Sequence, residues 1–224
     1  MLLWLGRGGE SMIAYRVICL VIGYIFGLFP SGKFVGKLKQ VDLTREGSGN
    51  IGATNALRVT GISGGILTLL GDVLKAVIPM LLALAIFHKV GNGRQTLMLY
   101  AGLGAVLGHD FPFNRGFKGG KGVASLLGVV LTFSPLMVPA LLVLFIILAV
   151  ATGYVSLASM CAAAGLAIES YIFAATGRFK DTGSFLVEIC VMFTIIAALT
   201  IFQHRQNIAR LRAGTENRFG HKKK

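Results

Sequence analysis

The sequence is poor in charged residues, and acidic residues are the scarcest of them. Only 14% of its 224 residues are charged, whereas 54% are hydrophobic, and the mean hydropathy is +0.75. Soluble domains carry about 25% charged residues, so a soluble globule of this length could not bury so much apolar surface. The composition therefore excludes an ordinary soluble enzyme and a disordered chain. It is typical of a helical membrane protein, in which each spanning helix takes about 20 mostly apolar residues.

Cysteine and histidine are also scarce. The three cysteines, Cys19, Cys161 and Cys190, lie inside apolar runs without C-x-x-C spacing, so the sequence predicts neither a disulfide framework nor a zinc site. No H-E-x-x-H pattern occurs among the four histidines, which excludes the common zinc-protease signature. We therefore expect no metal and no cofactor, and we expect no nucleic-acid partner.

Seven apolar runs divide the chain. They are Met12–Phe29, Ile62–Phe87, Gln95–Phe111, Val123–Phe133, Leu136–Ala151, Val155–Ala174 and Phe185–Phe202. Ser134-Pro135 separates the short fourth run from the fifth, although one kinked helix over both runs would reduce the count to six. The sequence predicts an all-α, polytopic integral membrane bundle of seven transmembrane helices, with a single domain over residues 12–216. We expect residues 1–11 to be a leader, with Met12 as an alternative start, and residues 217–224 to be a basic tail.

The excess of basic residues, 22 against 9 acidic ones, predicts an orientation in the membrane. With seven helices, 15 of the 22 basic residues fall on one side, in the loop after the first run, the loop before the fourth and the C-terminal tail. Basic loops are retained in the cytoplasm, so we expect the N-terminus outside and the C-terminus in the cytoplasm. Six helices would divide the basic residues between the two sides. The charge also suits an anionic partner, either lipid headgroups or a phosphorylated substrate.

The first basic loop is rich in glycine and in short polar side chains. It matches G-x-G-x-x-G at Gly47, Gly49 and Gly52, but a dinucleotide site needs that pattern after a strand, and none is predicted here. Its N–H groups and polar side chains can instead form an anion-binding nest at a helix start, with Arg58 as a two-pronged donor. The alternative is a polar turn that only reverses the chain. The candidate nest residues are Ser48, Gly49, Asn50, Thr54 and Asn55.

The second basic loop reads Phe111-Pro-Phe-Asn-Arg-Gly-Phe-Lys-Gly-Gly-Lys-Gly122. It lacks the Ser or Thr that follows Gly-Lys in a Walker loop, which disfavours nucleotide binding. Lys118 and Lys121, set among glycines that include Gly119 and Gly120, are typical of a clamp for phosphate. Alternatively, the lysines could serve only to keep the loop in the cytoplasm, but that role would not explain the glycines.

Polar residues within the apolar runs form a separate group. Asp72 and Lys75 lie three residues apart, on one face of a predicted helix, and His109 ends the third run. Charges inside a span are costly and usually face a bundle interior or a cavity, so these three residues are assigned as structural. The spacing of Gly23 with Gly27, and of Gly104 with Gly108, predicts close helix packing.

Several segments carry a family resemblance. They read Gly47-Ser-Gly-Asn-Ile-Gly-Ala-Thr-Asn55, then Gly108-His-Asp-Phe-Pro with Phe117-Lys-Gly-Gly-Lys-Gly-Val-Ala124, and finally His204-Arg-Gln-Asn-Ile-Ala-Arg-Leu211. Together they resemble the bacterial PlsY family, whose members are membrane glycerol-3-phosphate acyltransferases that use acyl phosphate as donor. Gly71-Asp72 with Lys75, and Val155-Ser-Leu-Ala-Ser159, are similar to further family positions. The histidines also lack an aspartate five residues on, so the H-x4-D signature of acyl-CoA-dependent glycerolipid acyltransferases is missing.

The resemblance implies seven helices in the bacterial plasma (inner) membrane, with the site on the cytoplasmic face. It implies that the acyl group of acyl phosphate passes to glycerol 3-phosphate, giving lysophosphatidate and inorganic phosphate as the first step of phospholipid biosynthesis. The implied partners are both substrates, membrane lipids and, functionally, a transacylase that forms acyl phosphate. The substrate-binding and catalytic positions map onto Ser48, Arg58, Lys121, Ser159, His204 and Asn207.

Two questions remain open from the sequence. The general base is either His204 or the substrate's own phosphate, whose second pKa of about 6 lets it accept a proton at neutral pH. The alternative function is an anion channel or phosphate transporter. Transport needs polar groups through the membrane midplane, where only Asp72 and Lys75 come close.

Overall fold

The computed structural model describes residues 10–218, so residues 1–9 of the predicted leader and residues 219–224 of the predicted tail lie outside the described residues. Within residues 10–218 the chain forms helices and no strand, which confirms the all-α prediction. Two short 3₁₀ segments, Phe113–Arg115 and Pro135–Met137, connect α-helices. The α-helices are α1 (Glu10–Gly27), α2 (Ser31–Leu38), α3 (Ala53–Ile86), α4 (Arg94–Asp110), α5 (Val123–Phe133), α6 (Val138–Thr152), α7 (Val155–Ala175), α8 (Ser184–Gln203) and α9 (Arg205–Arg212).

Seven of these helices, α1 and α3–α8, coincide with the seven apolar runs. The fourth and fifth runs form separate helices, because α5 ends at Phe133 and the Pro135–Met137 segment precedes α6. By length and composition, five helical segments of the described chain can cross a membrane: Ser11–Leu38, Ala53–Ile86, Pro135–Thr152, Val155–Ala175 and Ser184–Gln203. α5 is apolar but has only 11 residues, and α4 has 17 residues with polar side chains at both ends. The count of seven spanning helices therefore stays a prediction.

Two helical stretches occur where the sequence predicted a loop. α2 buries Ser31, Gly32, Val35 and Gly36, while its lysines remain exposed. It is therefore an amphipathic helix, and it begins shortly after α1 ends. α3 begins at Ala53, well before its apolar run, and changes direction at Gly61, where φ is 76° and ψ is −173°. Glycine adopts this positive φ without steric cost. The first basic loop is consequently confined to residues 39–52.

The chain divides into two compact units between Phe133 and Ser134. In the first unit, α1 packs along α4, and α3 packs against α1, α2, α4 and α5. In the second unit, α7 packs between α6 and α8, and α9 follows α8. The prediction of one domain over residues 12–216 stays a prediction.

Glycines bring the backbones of α1 and α4 into contact. A β-carbon on Gly23 would lie 1.9 Å from the carbonyl oxygen of Ala101, and one on Gly104 would lie 2.1 Å from that of Leu20. Because no side chain fits at these positions, the small-residue spacing is a packing device, as the sequence predicted. The same packing continues to Gly108, near the end of α4, where a β-carbon would lie 2.2 Å from the carbonyl oxygen of Tyr24.

Large apolar side chains cover the outside of both units. Ile62 is 71% exposed and Val150 is 80% exposed, and no residue of α6 is buried. A helix that is apolar all round and unburied is suited to surrounding lipid rather than to water.

Candidate functional site

The first basic loop is folded around the side chain of Asn55, which is only 2% exposed. Its Oδ1 atom accepts a hydrogen bond from the backbone N–H of Ser48 at 2.8 Å. Its Nδ2 atom donates to the carbonyl oxygens of Leu43, at 3.1 Å, and Glu46, at 3.0 Å. The amide therefore holds the loop together from inside. The substrate-binding role predicted for Asn55 stays a prediction.

The other candidate residues of this loop lie at its surface, next to the start of α3. Ser48, Gly49, Thr54 and Arg58 are exposed, and Arg58 lies in the second turn of α3. Asn50 is half-buried, and its Oδ1 atom accepts from the N–H of Gly52 at 2.9 Å. The first N–H groups of a helix lack partners within it and favour an anion nearby. The loop thus has the position at a helix start that the nest hypothesis requires.

The second basic loop connects the end of α4 to the start of α5. The N–H of Gly120 donates to the carbonyl oxygen of His109 at 3.1 Å, which ties the loop back to α4. Lys118 is exposed, whereas Lys121 is half-buried between the buried residues Gly120 and Gly122. Lys121 also lies two residues before α5 begins at Val123. A lysine and a helix N-terminus together are a common anion-binding arrangement.

Arg115, which the sequence did not single out as a site residue, also holds this loop. Its Nη2 atom donates to the carbonyl oxygen of Leu28 at 3.2 Å, which links the loop to the end of α1. Burial lowers the pKa of its guanidinium, and the charge of Asp72 partly offsets that effect. No periodic pattern in the sequence indicates this contact between residues 87 positions apart.

A buried polar cluster lies behind the second loop. The Nζ atom of Lys75 donates to Oδ1 of Asp72 at 2.7 Å and to the carbonyl oxygen of Phe29 at 3.3 Å. It also contacts Nδ1 of His109. The side chains of Asp72 and Lys75 are each 3% exposed. The internal ion pair expected from the i, i+3 spacing is therefore present, and His109 joins it.

In the second unit, His204 directly follows the last residue of α8 and is 2% exposed. Its Nδ1 atom lies 2.7 Å from the carbonyl oxygen of Thr200. Because a carbonyl oxygen only accepts, Nδ1 of His204 carries a ring proton. Ser159 donates its hydroxyl to the carbonyl oxygen of Val155, one turn back in α7, at 2.8 Å.

Glu216, which the sequence reasoning did not assign to the site, organises the residues around Asn207. Its Oε1 atom accepts from Nδ2 of Asn207 at 2.7 Å and from the hydroxyl of Ser156 at 2.9 Å. Its Oε2 atom accepts from Nε of Arg210 at 2.7 Å. Burial raises the pKa of this carboxyl, but the hydrogen bonds from Arg210, Asn207 and Ser156 outweigh burial and lower the pKa overall.

The ionised Glu216 also fixes the orientation of the Asn207 amide. A carboxylate accepts hydrogen bonds only, so Nδ2 of Asn207 must face Glu216 and Oδ1 must point away. Asn207 is 4% exposed, and its Oδ1 atom is without a hydrogen-bond partner among residues 10–218. The second unit therefore presents a buried acceptor, which suits a hydroxyl group better than a phosphate oxygen.

We expect Glu216→Gln to lower the free energy of unfolding by roughly 2 kcal/mol, because hydrogen bonds to a charged group are replaced by weaker ones. The lowered pKa of Glu216 means that its contribution is complete above the ordinary value of 4.5 and is lost as the pH falls through the folded-state pKa. Thermal unfolding in detergent between pH 3 and pH 7 tests this, with Glu46→Gln in the exposed loop as the control. If Glu216→Gln loses as much stability as the wild type when the pH falls, the ionised Glu216 carboxylate does not stabilise the fold as described.

Comparison with known proteins identifies relatives along nearly the whole chain. The family model for glycerol-3-phosphate acyltransferase matches residues 17–214. The chain is 44% identical to the glycerol-3-phosphate acyltransferase of Geobacter sulfurreducens over 204 residues, which covers 91% of this chain and 97% of that protein. It is 43% identical to the glycerol-3-phosphate acyltransferase of Geotalea daltonii over 203 residues, which covers 90% of this chain and 97% of that protein.

Two solved structures have a similar fold, both of PlsY (YgiH), an integral membrane glycerol 3-phosphate acyltransferase. Its glycerol 3-phosphate form matches with a TM-score of 0.75 and 37% identity, covering 94% of this chain and 96% of that one. Its lysophosphatidic acid form matches with a TM-score of 0.76 and 36% identity, covering 92% of this chain and 95% of that one. Together with the apolar helices, this likeness makes the protein a multi-pass membrane protein. It also confirms the resemblance found in the sequence: the chain belongs to the PlsY family of glycerol-3-phosphate acyltransferases.

Proposed function

We propose that this protein transfers the acyl group of acyl phosphate to glycerol 3-phosphate, the first step of phospholipid biosynthesis. A glycerol hydroxyl oxygen forms the new bond to the acyl carbon, and the bond from that carbon to the phosphate oxygen breaks. The hydroxyl proton leaves, and the products are lysophosphatidate and inorganic phosphate. Family membership supports the acyl acceptor, since the solved relative is described in a glycerol 3-phosphate form and a lysophosphatidic acid form.

The observation that carries the proposal is the pair of basic, glycine-rich loops in the first unit. Each loop leads into the start of a helix, α3 in one case and α5 in the other. Each also brings a cation there, Arg58 in α3 and Lys121 before α5. Two anion-binding loops suit a reaction in which both substrates are phosphorylated. Phosphate is a good leaving group when cations stabilise it, so Lys121 is assigned to the developing negative charge and the departing phosphate.

The remaining site residues divide by the chemistry that they offer. The residues proposed to bind the anions at the two loops are Ser48, Gly49, Asn50, Thr54, Lys118, Gly119 and Gly120. Asn55 is proposed to serve the same site by holding the first loop in place, because its amide atoms already bond Ser48, Leu43 and Glu46. Ser159 and Asn207 carry over from the family resemblance, and the free acceptor on Asn207 suits a glycerol hydroxyl. The proton acceptor is the substrate's own phosphate, because a weak base suffices when the acyl donor is already activated. His204 binds and orients the substrate.

We also propose a topology and a cellular setting. α4 and α5 join the five longer segments as spanning helices, which places the N-terminus outside, with the site and the C-terminus on the cytoplasmic face of the bacterial plasma membrane. The positive-inside rule supports this arrangement, since both anion-binding loops are basic. Acyl phosphate is reactive, so a transacylase that forms it is the expected upstream partner. The product enters the surrounding membrane lipids directly.

The deciding experiment supplies purified protein with radiolabelled glycerol 3-phosphate and either palmitoyl phosphate or palmitoyl-CoA. We expect the label to become lipid-soluble with palmitoyl phosphate and to stay water-soluble with palmitoyl-CoA. Transfer from palmitoyl-CoA alone would overturn the proposed donor. Counterflow of labelled phosphate in liposomes, without any lipid product, would instead support the transporter alternative.

A further inference from the structure

The imidazole ring of His109 lies directly against the second basic loop. A β-carbon on Gly120 would lie 1.9 Å from Nε2 of His109, 2.7 Å from Cε1 and 2.9 Å from Cδ2. One edge of the ring therefore occupies the space that any side chain at position 120 would need. His109 is 4% exposed, so this contact is buried. The loop residue next to the half-buried Lys121 is thus packed against a histidine side chain.

The opposite edge of the same ring is held by the buried ion pair. Nδ1 of His109 contacts Nζ of Lys75, and an ammonium group can only donate. Nδ1 is consequently the acceptor, which leaves the ring proton on Nε2, at the edge facing Gly120. Asp72 and the carbonyl oxygen of Phe29 accept the other hydrogen bonds of Lys75. These bonds fix both the tautomer and the orientation of the ring.

Backbone contacts hold the neighbouring residue of the loop independently. A β-carbon on Gly119 would lie 2.0 Å from the carbonyl oxygen of His109 and 2.6 Å from that of Asp110. Gly119 therefore meets the backbone at the end of α4, whereas Gly120 meets the side chain of His109. The two adjacent glycines distinguish an effect of the ring from an effect of the helix end.

We propose that His109 is a positioning residue for the anion-binding loop: Asp72 and Lys75 orient its ring, and the ring sets the position of Gly120 and so of Lys121. This inference rests on the proposed function, because it gives the loop a substrate phosphate to hold. It extends the structural role expected for the cluster, since an ion pair that only fixed helix packing would not affect substrate affinity. Through these three residues, the positions of α3 and α4 determine the position of the second basic loop.

The first test is His109→Asn, assayed with palmitoyl phosphate and glycerol 3-phosphate. The Asn carbonyl can still accept from Lys75, so the ion pair keeps its partner while the ring edge beside Gly120 is lost. We expect the KM of at least one phosphorylated substrate to rise about tenfold while kcat falls by less than about threefold, because small misplacements of a binding group are costly. His88→Ala, at an exposed histidine, serves as the control. If His109→Asn does not fold, His109→Gln replaces it throughout.

The second test is a double-mutant cycle. Gly120→Ala is expected to raise the same KM because its β-carbon collides with the His109 ring. Adding His109→Asn should relieve that collision, so the double variant should be at least about fivefold better than the product of the two single effects. Gly119→Ala is the matched control, since its collision is with backbone carbonyls that His109→Asn leaves in place. No relief is expected there.

The outcomes separate the inference from the proposed function. An inactive wild-type protein would contradict the proposed function. An active wild type whose His109→Asn variant keeps both KM values, or whose Gly120→Ala defect is not relieved, would overturn the positioning role alone. Equal relief of Gly119→Ala and Gly120→Ala would also overturn it, because the effect would then belong to a general loosening of α4.

Discussion

Lys121→Met is expected to lower kcat/KM by about a thousandfold, while Lys118→Met lowers it by less than about tenfold. The two lysines lie in the same loop and each carries one positive charge, but their surroundings differ. Lys121 is half-buried between two buried glycines at the start of α5, whereas Lys118 is exposed. A cation held in place where charge develops in the transition state is worth about 10²–10³ in rate. A solvated lysine is screened by water and contributes far less.

The measurement compares the two variants in the palmitoyl phosphate assay, at matched protein concentration and after size-exclusion chromatography in detergent. Methionine keeps the length of the lysine stem and removes its charge, so packing changes little. Nearly equal losses for the two variants would show that the loop acts through its total charge. That result would contradict the assignment of Lys121 to the leaving phosphate.

The helices of this protein are largely readable from its sequence because apolar runs and breaks are local signals. The seven runs coincide with α1 and α3–α8, and the break at Ser134-Pro135 separates α5 from α6. The i, i+3 spacing of Asp72 and Lys75 predicted a shared helix face, and the two side chains form an ion pair. Such features depend on residues that are close in sequence.

The features missed from the sequence depend on contacts between distant residues or on ambiguous local patterns. The sequence predicts a loop over the residues of α2 because lysines and glycines interrupt the apolar pattern there, although the helix buries one narrow face. Glu216 gathers Asn207 and Ser156, which are 9 and 60 residues away. The fit of the His109 ring against Gly120 is a steric relation that no spacing encodes. The glycines of the second basic loop indicated an anion-binding site, but the sequence does not show which side chains those glycines contact.

His204→Ala is expected to lower kcat/KM by about 10- to 100-fold while leaving the pH dependence of the rate intact. The ring of His204 is buried and anchored through Nδ1 to the carbonyl oxygen of Thr200. In the proposed function this ring binds the substrate, so its removal is expected to cost a well-placed hydrogen bond. In the proposed function, however, the proton acceptor is the substrate's phosphate, whose second pKa is about 6. The ionisation near that pH therefore belongs to the substrate and should persist in the variant.

The test is a profile of kcat/KM from pH 5 to pH 9 for the wild type and for His204→Ala. His88→Ala is the matched control, because Nδ1 of His88 also lies 2.9 Å from a carbonyl oxygen of the preceding helix, that of Ala85, but His88 is exposed. Its profile and rate should match those of the wild type. If His204→Ala loses the ionisation near pH 6, the base is His204 and the substrate-phosphate assignment is wrong, since the pH dependence of kcat/KM reports the essential acid and base.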